Sequence, residues 1–100
     1  MQYMIVIKRL VWDDWNIYHI ARHEVTPEEV ETVCQGNFIT LQGKKGRLVI
    51  VGSTAEQRML SIVLEPEPEE GVYYPVTARP AARKERQIYQ QIKKTKGGEL

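Results

Sequence analysis

The sequence has a single cysteine, two histidines and no apolar run of membrane-spanning length. Each scarcity removes a class of protein. Cys34 alone cannot close an internal disulfide, which suits a reducing compartment. No apolar stretch approaches the roughly 18 residues of a spanning helix, and the N-terminus lacks a secretory pattern, so a cytoplasmic chain without membrane contact is expected. His19 and His23 stand at i and i+4, but no other histidine, cysteine or carboxylate has recognisable metal-ligand spacing, so neither a metal nor a cofactor is expected. A glycine-rich phosphate loop and a nucleophile elbow are both missing, which leaves a small-molecule enzyme with little support. Charge of one sign does not dominate either: the formal net charge is +1, no argument by itself for nucleic acid.

What is present is one domain's worth of chain, 1–100, with a modest core. Its charge is unevenly spread. Arg79, Arg83, Lys84, Arg86, Lys93, Lys94 and Lys96 follow one another against Glu85 alone, while 65–70, EPEPEE, carries only negative charge. A basic helix beside an acidic loop makes a local patch on a near-neutral molecule, although a solvated helix face explains the same charges.

Taken in order, YMIVIKRLV at 3–11 reads as a first strand. Asp13 or Asp14 caps a helix running to about Glu24, with Ile17, Ile20 and Ala21 inward and Trp15, His19, Arg22 and His23 elsewhere. Thr26 and Glu29 form a capping-box spacing around Pro27, and the second helix ends at Gly36. Strands follow at 37–41, 47–53 and 58–64, the last two joined as a hairpin. A final strand begins at Val72, with Pro75 marking an edge or an irregular pairing because it cannot donate to a ladder. Alternation along it places Val72, Tyr74, Val76 and Ala78 on one face and Tyr73, Pro75, Thr77 and Arg79 on the other.

The stretch YYPVTARPAARKERQIY, 73–89, is the chemical centre of the chain. Pro80 suits a first helical position, which puts Arg79 at the cap and Arg83 a turn later. Two guanidinium groups then converge where a helix N-terminus already favours an anion, a phosphate-binding arrangement. Glu85 falls among the apolar residues Ala81, Ala82, Ile88, Tyr89 and Ile92, where a carboxylate needs an arginine or other donors. It reads as an internal ion pair or as a group of the site. After Ile92 the tail, about 93–100, is expected to fray. Trp15 beside two histidines suggests a surface for stacking on a base or receiving a partner; Trp15 closing over the edge of the core is the competing reading.

Trp12-Asp13, His23-x-Val25 before an acidic helix, the Gly46-Arg47 strand, Thr77-Ala78-Arg79, Arg83-Lys84-Glu85-Arg86 and Tyr89 together resemble the BrnT-type toxins of bacterial toxin–antitoxin pairs. The resemblance covers most of the chain and is most specific at its C-terminal part. It implies an α+β, RelE-like fold: a small antiparallel sheet with two N-terminal helices and one C-terminal helix. It also implies a growth-arresting endoribonuclease, and a ribbon-helix-helix antitoxin that binds operator DNA together with the toxin. On that basis Arg79 and Arg83 would hold the scissile phosphate, with Lys84 or Arg86 guiding the RNA backbone. Trp15 and His19 would contact RNA, and His23, Glu85 and Tyr89 are the candidates for proton transfer. The reaction expected is metal-independent attack of a ribose 2′-hydroxyl on the neighbouring phosphorus. The chain departs from the family pattern at Glu24, where glycine is usual, and at His19 and Arg22, where asparagine and lysine are usual. A non-catalytic RNA- or partner-binding module of the same fold is the alternative, and the isolated chain is open to monomer or homodimer.

Overall fold

The computed structural model describes residues 5–98, with side chains through Lys94. Its elements are β1 (Arg9–Leu10), α1 (Asp14–Ala21), α2 (Pro27–Gln35), β2 (Phe38–Gln42), β3 (Leu48–Ser53), β4 (Met59–Pro66), β5 (Val72–Pro80) and α3 (Arg83–Gly98). The strands form one five-stranded sheet in the order β1-β5-β4-β3-β2, antiparallel except where β1 runs parallel to β5. The molecule is thus a small α+β fold with a mixed sheet, not the purely antiparallel one expected. The first strand also shrinks from 3–11 to two residues within the described part; residues 1–4 lie outside it.

Strand alternation divides the sheet into two unequal faces. Ile50, Leu60, Ile62, Leu64 and Ala78 pack with Ile20, Val25, Val30, Val33 and Cys34 of the α1–α2 region into the main core. On the reverse face Ile39 and Val51 join Ala81, under Ile88, Tyr89 and Ile92 of α3. Gly52 allows the close approach of α2, since a Cβ there would stand 2.8 Å from Val33 Cγ1 and 3.1 Å from Phe38 Cβ.

Both N-terminal helices are started by reciprocal caps. The Asn16 amide donates to Asp13 at 2.9 Å and the Asp13 amide donates to the Asn16 side chain at 2.9 Å. The Glu29 amide donates to Thr26 Oγ1 at 3.2 Å, while the Thr26 amide donates to the Glu29 carboxylate at 3.0 Å. The inward side of α1 differs from expectation: Asn16 and Ile20 are buried, whereas Ile17 and Ala21 are exposed. The reason is hydrogen bonding at the β5 edge. Asn16 Nδ2 donates to the carbonyls of Val11 at 2.9 Å and Pro75 at 3.1 Å, satisfying main chain that β1 is too short to reach. Helix α1 stops three residues short of the expected Glu24. Val25 N–H donates to Ile20 O and Glu24 N–H to Ala21 O, a Schellman closure in which Glu24 adopts φ 60°.

Strand β5 and the start of α3 set the site. Pro75 pairs with Leu64 and Ala78 with Ile62, so a register shift inserts an extra residue between them. That irregularity meets the expectation for Pro75, and it overturns the simple alternation along the strand, because Pro75 and Ala78 now share a face. Pro80, expected to open the helix, instead closes β5 opposite Leu60, and Ala81 N–H continues to Met59 O at 2.9 Å. Ladder pairing outweighs the local preference of proline, and α3 begins at Arg83. It runs to Gly98; residues 99–100 lie outside the described part.

Candidate functional site

Arg79 alternates with the core residue Ala78 and pairs opposite Ser61, so it stands on the α3 face of the sheet. Its guanidinium is held by Glu85 in the first turn of α3: Nη1 donates to Oε1 and Nη2 to Oε2, each at 3.0 Å. Oε1 also accepts the Ala82 amide at 2.7 Å, and Oε2 accepts the Ser61 hydroxyl at 3.1 Å. All four acceptor positions of the carboxylate are therefore filled. Burial pushes the Glu85 carboxyl upward, but the bonds from Arg79, Ala82 and Ser61 together with the Arg79 charge outweigh it and hold the group below its usual range. Glu85 is a poor proton acceptor in this state and a good clamp.

The clamp leaves one side of Arg79 open. Besides Glu85, its Nη1 donates to Pro80 O at 3.1 Å. Nε–H and the outer Nη2–H, the second fork of the guanidinium, have no partner among the described residues, and the side chain is 44% exposed. Such a fork matches two oxygens of a phosphate. Arg83 opens α3 and is exposed, so both arginines stand at the helix's first turn, although no hydrogen bond joins them.

The remaining C-terminal candidates serve differently. Lys84 is exposed. Arg86 Nη1 donates to Ala81 O at 2.7 Å and so braces the β5–α3 junction. Tyr89 donates from its hydroxyl to Asn37 O at 3.3 Å and carries Lys93 Nζ 5.6 Å above its ring, which pins α3 to the start of β2. Away from α3, Val49 and Val63 floor a shallow depression of about 480 Å³ bordered by Lys44, Lys45 and Arg47. Alternation places these valines on the same face as Arg79. Arg47 itself is paired with Glu65 at 2.9 Å.

The N-terminal candidates form a separate group. Trp15 is 57% exposed, which decides against the core-edge reading, and stacks on His19 with centroids 4.9 Å apart and planes 10° from parallel. His23 meets His19 edge-on at 6.0 Å. Helix α1 belongs to the opposite layer from α3, and no hydrogen bond, ion pair or ring contact joins this group to Arg79, Arg83 or Glu85. Among the described residues no three His, Cys, Asp or Glu side chains are grouped to hold a metal ion. Cys34 is no nucleophile: burial, aided by Glu31, pushes its thiol up to about 12.

Two participants escaped the sequence reading. Ser61 is the one polar residue of MLSIVL, and its inward-facing hydroxyl orients Glu85; a serine amid aliphatic strand residues was the available signal. Arg58 binds both Glu29 oxygens at 3.1 Å and the carbonyls of Glu24 at 2.8 Å and His23 at 3.4 Å, tying the end of α1 to α2 and β4. No protein-family model matches the chain, and no curated protein matches it significantly.

Proposed function

We propose that this chain is a BrnT-type toxin with a RelE-like fold, a metal-independent endoribonuclease that inhibits translation in the cytoplasm and is neutralised by a ribbon-helix-helix antitoxin. The observation that carries the reading is the open Nε/Nη2 fork of Arg79, oriented by Glu85 and Ser61 on the α3 face of the sheet. The family resemblance of 77–89 supplies the substrate class.

In the proposed reaction a ribose 2′-oxygen bonds to the adjacent phosphorus as the bond to the 5′-oxygen breaks. The 2′-hydroxyl passes its proton to solvent water and the departing 5′-oxygen takes one from solvent water, leaving a 2′,3′-cyclic phosphate and a 5′-hydroxyl end. Arg79 would stabilise the charge that builds on the non-bridging oxygens, Arg83 would add a second cation, and Lys44, Lys45 and Lys84 would attract the RNA backbone. Positioning and charge stabilisation do most of the work, because Glu85 is saturated, Tyr89 is engaged with Asn37 and His23 belongs to the opposite layer. The same observation favours a second reading, an RNA-binding module without cleavage.

Purified chain is incubated with total RNA and with ribosomes carrying messenger RNA, with and without EDTA, beside the Arg79→Ala/Arg83→Ala variant. Cleavage that survives EDTA, leaves 5′-hydroxyl ends and disappears in the variant is expected. Salt-dependent binding by the wild type with intact RNA in every sample would establish the binding module instead, and cleavage stopped by EDTA would refute the mechanism.

A further inference from the structure

Three of the four exposed large apolar side chains among the described residues, Trp15, Ile17 and Tyr18, belong to the eight-residue helix α1. At about 100° per residue, the direction opposite buried Asn16 and Ile20 is that of Tyr18, with Asp14 one turn before it and Arg22 one turn after. Tyr18 is 71% exposed, and Trp15 and Ile17 flank it on either side. Asp14 and Arg22 are both exposed and have no ion pair or side-chain hydrogen bond within the described chain. The outward stripe is therefore negative at one end, aromatic in the middle and positive at the other.

Such a stripe is complementary to itself when reversed. We propose that α1 is a homodimer interface in which a second copy of this chain packs its own α1 antiparallel to the first across a two-fold axis at Tyr18. Each Asp14 then faces the Arg22 of the other copy, and the two Tyr18 rings meet at the axis, where a symmetric contact repeats every interaction twice. Exposed aromatics beside charges that are unpaired in the monomer gain partners together. The helix is only about 12 Å long, so the contact is small and the dimer weak, with dissociation expected around 10–100 μM. The surface lies in the opposite layer from Arg79, so dimerisation leaves the proposed phosphate site accessible.

Sedimentation equilibrium over a concentration series, with circular dichroism as a check on folding, tests this. Wild type is expected to approach twice the monomer mass at high concentration. Asp14→Arg and Arg22→Asp are each expected to weaken self-association by roughly tenfold or more, because like charges then meet in both halves of the contact. Mixed one to one, these two variants should recover a dimer, since one chain presents two positive ends and the other two negative ends. Tyr18→Ser, which changes no charge and no buried atom, should also weaken association and stands in if either reversal fails to fold. A wild type that stays monomeric throughout overturns the proposal. So do reversals that dimerise like wild type, or a mixture of folded reversals that stays monomeric.

Discussion

The two faces of the sheet are built on different principles. Beneath α1 and α2 the interdigitating residues are aliphatic, from Ile20 and Val30 on the helices to Ile50, Leu60, Ile62 and Leu64 on the strands. Beneath the start of α3 the sheet presents Ser61 and Arg79, and Glu85 descends from the helix to meet them. The first face derives its stability from apolar area removed from water. The second uses part of its area for a hydrogen-bonded charge pair, which contributes little net stability but fixes an orientation. The same fold thus separates the aliphatic layer that holds it together from the layer that carries the proposed phosphate site.

Substitutions can test that separation. Ile62→Ala, at the centre of the aliphatic face, should cost about 2–5 kcal/mol of unfolding free energy in a denaturant titration. Ile88→Ala, half-buried on the sheet-facing side of α3, should cost clearly less; equal losses would mean that the faces share the load. Glu85→Gln should cost about 1–2 kcal/mol and lower RNA cleavage more than RNA affinity, because the guanidinium stays but loses its clamp.

The pH dependence has a definite sign. Glu85 titrates lower in the folded chain than its ordinary 4.5. Its contribution is complete above that value and fades as pH falls below it through the depressed folded value. Thermal melts between pH 3 and 6 should therefore show a steeper acid loss for wild type than for Glu85→Gln. Ser61→Ala should cost about 1 kcal/mol and shift the acid limb of any cleavage profile, an effect that a purely structural serine would not produce. Smallest, and opposite in sign, Glu24→Gly should stabilise the chain by up to about 1 kcal/mol, since glycine accepts φ 60° without the Cβ penalty.

Much of the fold was legible because its signals are local. Thr26-Pro27-x-Glu29 and Gly36 delimit α2 as expected, and β2 to β5 begin within a residue or two of their expected starts, since turn residues and alternation act over a few positions. The need of Glu85 for an arginine followed from its place on the apolar side of a helix, and Arg79 supplies it. Expectation failed where distant chain intervened. Met59 and Leu60 hold 80–81 in the ladder and delay α3, and the Pro75 carbonyl draws Asn16 inward and rotates α1.

The sequence by itself therefore determined the order and type of the elements, the caps of α2, the basic C-terminal segment and the ion-pair demand of Glu85, because each depends on neighbours along the chain. Only the tertiary structure decided that β1 joins in parallel, that Ser61 completes the clamp, and that Trp15 and His19 stand in the opposite layer from Arg79. Those outcomes depend on which residues meet across the sheet, and a helical or strand period carries no information about that.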